Sequence, residues 1–163
     1  MDRMVTVSDD CTARVWNLPL LYCESCYATK EEPLSVAIHP CGFELCIAFR
    51  SAILTYNIAN DGLLPSGFDC KSSNPISDSV AFRELSLPGC RMMKFNPAGN
   101  WLAAVDASGR DIVVFETVHY KQIGKMDGHI LDVKEICWKQ DGMQLLSVSE
   151  QEVYIWSLES MTR

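Results

Sequence analysis

The chain lacks most of what would mark a membrane, secreted or nucleic-acid-binding protein. No apolar run approaches the roughly 20 residues that span a bilayer. The opening MDRMVTVSDD is acidic and has no apolar segment of roughly 7 to 15 residues behind a basic one, the mark of a secretory signal. No Asn-x-Ser/Thr acceptor occurs anywhere. Lys and Arg total only 14 against 21 Asp and Glu, a net charge of -7, and they are spread singly along the chain. Phosphate-neutralising patches are therefore not visible, and no nucleic-acid partner is expected. A soluble, cytoplasmic protein without membrane contact is the expectation.

Catalytic signatures are equally scarce. There are three histidines, no G-x-x-x-x-G-K loop, no nucleophile turn and no paired carboxylates. Ser108-Gly109 reads as the turn of a hairpin. No enzyme activity and no cofactor are expected.

Eight cysteines would suggest a disulfide framework, but nothing points to an oxidising compartment, so free thiols are expected. Cys23-Glu24-Ser25-Cys26, with His39 and Cys41 further on, has half the spacing of a zinc site. Residues 21–28 look like a strand, where positions three apart face opposite ways, so the two sulfurs should diverge. No metal site is expected.

What is present is repetition. At 163 residues, 48% hydrophobic and 21% charged, the chain can bury a substantial core. FNPAGNWLAAV begins at Phe95, IHPCGFELCIA at Ile38 and WKQDGMQLLSV at Trp138, each an apolar residue, a polar turn closed by glycine, and then a leucine leading an apolar run. The leucines are Leu45, Leu102 and Leu145, and an aromatic follows eleven or thirteen residues later: Tyr56, Phe115 and Trp156. MVTVSDDCTARVW supplies a fourth copy, with Val5 as leader and Trp16. Leaders at 5, 45, 102 and 145 are spaced by 40, 57 and 43, two of these intervals matching the roughly 40 to 45 residues of a propeller blade.

Each unit reads as short β-branched and aromatic runs between turn residues, with helical periodicity nearly absent. Strands are expected at 133–138, 144–148 and 153–158 in the last unit and at 91–95, 101–105 and 111–117 in the third. Runs at 20–28, 80–87 and 119–125 would be fourth, outermost strands. Met92 and Met93 read as strand packing. The fold class expected is all-β, a partial β-propeller of about four blades at 1–28, 34–87, 90–125 and 128–163, the two terminal ones incomplete. The terminal hairpins duplicate rather than complement each other, so the chain is expected to be an arc of a larger propeller, its remaining blades supplied by absent flanking sequence.

GHILDVKEICWKQDGMQLLSVSEQEVYIWSL, 128–158, resembles a WD repeat, opened by Gly128-His129 and closed by Trp156, and SDDCTARVWNL resembles the second half of another. The resemblance implies a side-chain network locking the blade through His129, Ser147 or Ser149, an acid and Trp156. The acid is expected six residues before the tryptophan, which selects Asp10 for Trp16 and Glu150 for Trp156. The middle copies have Tyr56 and Phe115 in place of tryptophan and no Gly-His. SVAIHPCGFELCIAF and LPGCRMMKFNPAGNWLAAV are similar to WD-repeat proteins of the motile cilium and flagellum. That similarity implies a non-catalytic scaffold of the axoneme, docking or regulating inner dynein arms on doublet microtubules. The alternative is a general WD-repeat adaptor, such as a ubiquitin-ligase substrate receptor or a regulatory complex subunit. The stretch 59–79, ANDGLLPSGFDCKSSNPISDS, is too long for a plain connection. Its composition favours a loosely packed loop, and Leu63, Leu64 and Phe68 are its candidate anchors for a partner.

Overall fold

The structure is a computed structural model, and it describes residues 2–58, 74–75 and 81–158. The candidate partner residues Leu63, Leu64 and Phe68 lie outside the described residues. Among those described there is no helix, and so none long and apolar enough to cross a membrane.

Among the described residues, fifteen strands form four separate sheets. The first has β1 (Arg3–Ser8), β2 (Thr12–Asn17) and β3 (Tyr22–Ala28), with the two-residue β7 (Asn74–Pro75) paired parallel to β3. The second has β4 (Ser35–Ile38), β5 (Glu44–Ala48), β6 (Ile53–Asn57) and β8 (Ala81–Leu85) in that order. The third has β9 (Met92–Phe95), β10 (Trp101–Val105), β11 (Ile112–Glu116) and β12 (Gln122–Met126). The fourth has β13 (Glu135–Trp138), β14 (Gln144–Val148) and β15 (Val153–Ser157). Apart from β7, all pairing is antiparallel, between strands joined by tight turns except for β6 and β8, which the long 58–80 stretch connects.

Three apolar clusters join the sheets in series. Ala13 and Val15 of the first meet Leu45, Ile47 and Tyr56 of the second. Cys46, Ala48 and Ile53 on the other face of the second meet Met93, Leu102, Ala104 and Phe115 of the third. Ala103, Val105, Ile112 and Val114 of the third meet Ile136, Trp138 and Leu145 of the fourth. Alternate residues of β5, β10 and β11 thus pack in opposite directions, which is why LCIA, LAAV and IVVF are unbroken apolar runs. The packing runs from first sheet to fourth without closing, an arc of stacked three- and four-stranded vanes among the described residues.

Register corrects the repeat alignment in one place. Leu45, Leu102 and Leu145 lie opposite Tyr56, Phe115 and Trp156, but Trp16 lies opposite Met4, not Val5. Val5 packs on the second sheet while Met4 is 44% exposed, so eleven-residue spacing from Trp16 selects Val5 and strand pairing selects Met4. The first hairpin closes with a shorter turn, between Ser8 and Thr12, and this displaces the register. The aromatic also marks the ladder: the pairing between third and fourth strands shifts beside Trp16, Tyr56 and Phe115 in all three sheets that have a full-length fourth strand.

Candidate functional site

The last blade contains a buried polar network built on the strand pair β14–β15. Ser147 and Trp156 share one face of that pair, and the Trp156 Nε1–H donates to Ser147 Oγ at 2.8 Å. His129, buried on the segment before β13, places Nε2 2.6 Å from the same oxygen. An indole can only donate, so Ser147 Oγ accepts from it, and its own proton and second lone pair suit either role toward His129 Nε2. The other ring nitrogen, Nδ1, is buried without a hydrogen-bond partner and lies 3.5 Å from Glu152 Oε2. Glu152 Oε2 accepts the Ile130 N–H at 3.0 Å, and the Glu152 N–H donates to Ser149 Oγ at 3.1 Å. Tyr154 packs edge-on to the imidazole at 4.8 Å between centroids.

The structure therefore brings together His129, Ser147 and Trp156 and replaces the acid expected. Glu150 stands at the tip of the turn, exposed, 3.3 Å from Lys134 Nζ. Counting back from the tryptophan selected the turn tip, whereas the carboxylate that folds beneath the histidine belongs to the residue just before β15. In the first blade Trp16 Nε1 donates to Thr6 Oγ1 at 2.9 Å. Thr6 is the register equivalent of Ser147. Asp10 does not join that pair; its carboxylate accepts the Thr12 N–H at 3.0 Å and hydroxyl at 2.5 Å and lies 3.4 Å from Arg14 Nη2. The Thr12 hydroxyl, ahead of smaller contributions from Ser8 and Arg14, holds its pKa below the ordinary value. In the middle blades the equivalent positions are Ile47 and Ala104, fully buried, so packing replaces the hydroxyl bond.

The repeated glycine turns do a second job invisible in any single copy. Gly42, Gly99 and Gly142 have φ of 80°, 80° and 72°, a region L side chains disfavour. Each carbonyl also receives a side chain from the preceding blade. Arg3 Nη1–H donates to Gly42 O at 2.9 Å, His39 Nε2–H to Gly99 O at 2.8 Å, and Asn96 Nδ2–H to Gly142 O at 3.5 Å. His39 Nδ1 meanwhile accepts the Cys41 N–H at 3.1 Å, which fixes its tautomer. His39 and Asn96 are themselves the first turn residues of their own blades, so each turn gives one bond forward and takes one from behind. Tyr120 adds a further tie between blades. Its hydroxyl donates to Glu44 and accepts the Cys46 thiol at 3.6 Å, and burial pushes its pKa up. Tyr120 belongs to no repeated motif, and its left-handed φ of 55° at the β11–β12 turn carries no sequence signal.

A second correction concerns Cys23 and Cys26. A β-bulge between Val15 and Trp16 leaves Glu24 unpaired, with Cys26 opposite Arg14 and Cys23 opposite Trp16. Arg14 and Trp16 share a face, so the two thiols do as well, instead of diverging. Among the described residues no group of three or more His, Cys, Asp or Glu is arranged to hold a metal ion, and none of the seven cysteines is in a disulfide. Ser108 lies in a hairpin turn, its N–H bonded to Asp106 Oδ1 at 3.0 Å. Met93 is buried and Met92 packs against the third-to-fourth sheet cluster.

Comparison with known proteins agrees with this architecture. Residues 120–157 match the WD domain, G-beta repeat family. The chain is 27% identical to cilia- and flagella-associated protein 57 of Mus musculus over 161 residues, 98% of this chain and 11% of that protein. It is 26% identical to cilia- and flagella-associated protein 57 A of Tetrahymena thermophila over 159 residues, 94% of this chain and 10% of that protein. A shorter stretch of 70 residues, 42% of this chain and 9% of the relative, is 36% identical to transcriptional corepressor LEUNIG_HOMOLOG of Arabidopsis thaliana. The chain spans about a tenth of the length of the ciliary relatives it matches. With four stacked sheets, a Gly-His to Trp blade that matches the WD repeat and similarity along nearly its whole length to cilia- and flagella-associated protein 57, the chain is all-β, has the form of a partial β-propeller and carries a WD repeat at 120–157.

Proposed function

We propose that the chain is a non-catalytic protein–protein interaction scaffold of the ciliary or flagellar axoneme, docking or regulating inner dynein arms on doublet microtubules. The observation that carries the scaffold reading is where apolar side chains stay exposed. Of the eleven large ones among the described residues, six sit at one end of the arc. Phe43 and Met143 lie on turns between first and second strands, and Leu18, Leu20, Leu21 and Val118 on turns between third and fourth strands. Backbone bonds from Leu18 to Asp2, Ile58 to Phe43 and Leu158 to Met143 knit the two sets of turns together. The turns between second and third strands, at the other end, are mainly Asp, Ser, Glu and Arg, and the Phe49 and Ala52 among them are buried. Rigid vanes with one apolar rim present a surface to another protein without needing chemistry of their own. Leu63, Leu64 and Phe68, outside the described residues, are proposed as further partner anchors on the strength of the sequence. The axonemal assignment rests on the ciliary relatives.

Tagged chain expressed in ciliated cells tests both parts. Retention on demembranated axonemes, reduced at least about tenfold by Leu20→Asp with Leu21→Asp while the melting temperature holds, is the expected result; a rim residue lost from a hot spot costs that much. Diffuse cytoplasmic or nuclear signal with no axonemal retention overturns the axonemal reading and favours the general adaptor. Retention unchanged by the double substitution overturns the rim.

A further inference from the structure

At the rim, Arg3 crosses from the first blade to the second. It opens β1 on the face that carries Val5 and Val7 onto the second sheet, and 18% of its side chain is exposed. Its guanidinium meets three groups. Nε and Nη2 fork onto the two carboxylate oxygens of Glu24, with Nε 2.9 Å from Oε2. Nη1 donates to Gly42 O at 2.9 Å, and the guanidinium carbon stands 5.7 Å from the centre of the Phe43 ring. A planar fork can hold a carboxylate, a carbonyl and a ring face at once, which the point charge of a lysine cannot.

The β-bulge in β3 gives Glu24 its reach. Glu24 is the residue left over between the Ser25–Val15 and Cys23–Trp16 pairs, and a bulge re-aims the side chain it carries, here onto Arg3. The other flank of the same turn is tied to Arg3 through the backbone. Arg3 is the register partner of Asn17, whose Oδ1 accepts the Leu20 N–H at 3.0 Å. Leu18, Leu20 and Leu21 are thus held between two residues that both engage Arg3. Across the blade boundary Phe43, half exposed, follows the glycine whose carbonyl Arg3 bonds.

We propose that Arg3 is a positioning residue of the docking rim, setting Phe43 of the second blade beside Leu18 and Leu20 of the first as one surface for an apolar segment of the partner. This rests on the rim proposed above and names what organises it. Turns on separate blades present one fixed surface only when they are fixed to one another, and Arg3 supplies that tie where the first blade meets the second. Its charge is met by Glu24 inside the protein, so the surface it orders stays apolar.

Two measurements on the chain test this. In hydrogen exchange read by mass spectrometry, Arg3→Gln should speed exchange across 17–22 and 39–44 by about tenfold and leave 139–143 as in the wild type, the loss of one charge-assisted fork. Glu24→Gln, which keeps Arg3 and every backbone contact, should do the same more weakly, so the test survives if Arg3→Gln folds poorly. Retention of Arg3→Gln on demembranated axonemes should fall by about tenfold, as far as with Leu20→Asp and Leu21→Asp together. His39→Ala removes the corresponding latch between the second and third blades and should leave retention unchanged, which a merely structural role for Arg3 would not predict. Phe43→Ala should lower retention, and Arg3→Gln added to it should lower it little further, because the two act as one unit. Exchange unaltered in Arg3→Gln and Glu24→Gln overturns the proposal. So does retention kept by Arg3→Gln but lost with the leucine pair, or lost equally with His39→Ala. Retention indifferent to the leucine pair as well shows that the rim itself has failed, and Arg3 has then nothing to position.

Discussion

Replacing Gly99 by alanine should destabilise the chain more than the same change at Gly42, although both glycines close equivalent turns at φ 80°. Backbone strain is common to the two and costs about 1 to 2 kcal/mol for an L side chain in this region. At Gly42 a new Cβ meets nothing within 4 Å, so strain is the whole effect. At Gly99 it would stand 2.5 Å from His39 Nε2, and the imidazole must leave. With it goes the bond to Gly99 O, a net loss of about 0.5 to 1.5 kcal/mol, though Thr117 Oγ1 still satisfies that carbonyl at 2.7 Å. The edge-on contact of His39 with Phe95, 5.0 Å between centroids, is lost too, about 0.5 to 1.5 kcal/mol more. Gly99→Ala should therefore cost about 1 to 3 kcal/mol more than Gly42→Ala, moving the urea midpoint by roughly 1 M at an ordinary slope. In a His39→Ala background the clash has no partner, and Gly99→Ala should cost only what Gly42→Ala does. Urea unfolding followed by tryptophan fluorescence and far-ultraviolet circular dichroism reads all four chains. Equal costs at the two glycines, or no relief from His39→Ala, would refute the idea that the turns latch one blade to the next.

Other outcomes follow from the same geometry. Trp156→Phe should cost about 1 kcal/mol through the bond to Ser147, and Trp156→Ala about 3 kcal/mol through lost packing, in the same unfolding assay. Glu152→Gln should cost about 1 kcal/mol and Glu150→Gln close to nothing; the reverse order would restore the acid expected from spacing. Asp10, Glu116 and Asp141 have pKa values held below 3.8, 4.5 and 3.8, by the Thr12 hydroxyl, by backbone N–H groups of His119 and Val118 that outweigh desolvation, and by Lys139. A depressed carboxylate contributes stability above its unfolded pKa and loses it as pH falls through the folded one, so Asp10→Asn should flatten the decline in stability below about pH 4. Burial pushes the Cys90 thiol up to about 11 and Cys46 further still, so iodoacetamide at about pH 8 should modify Cys41 and Cys137 well before either, as mass mapping would show.

Much of the architecture was legible because each blade repeats a short, strongly patterned unit. The turn glycines, the leucine leaders and the closing aromatics fix where strands start, and most observed strand boundaries fall within two residues of the expected ones. The lock of the last blade was legible for His129, Ser147 and Trp156, whose types and order belong to the repeat. Its acid was not, because Glu150 and Glu152 differ only in which way a four-residue turn points its side chains. Cys23 and Cys26 were misread for a related reason: strand parity holds until a bulge resets it, and a bulge leaves no local mark in Tyr22–Ala28.

The sequence by itself determined an all-β chain in repeated units, since short β-branched and aromatic runs bounded by glycine turns are too short for helices. It also determined that β10 and β11 lie between two neighbours, because LAAV and IVVF have no polar face to offer water. It could not say that VYIW half-buries Trp156 while leaving Val153 63% and Ile155 70% exposed. Only the stacking of sheets decided that, because burial depends on which neighbour is there to cover each face. The latches from Arg3, His39 and Asn96 to glycines 39, 60 and 46 residues away are likewise products of that stacking, contacts between positions no local pattern connects.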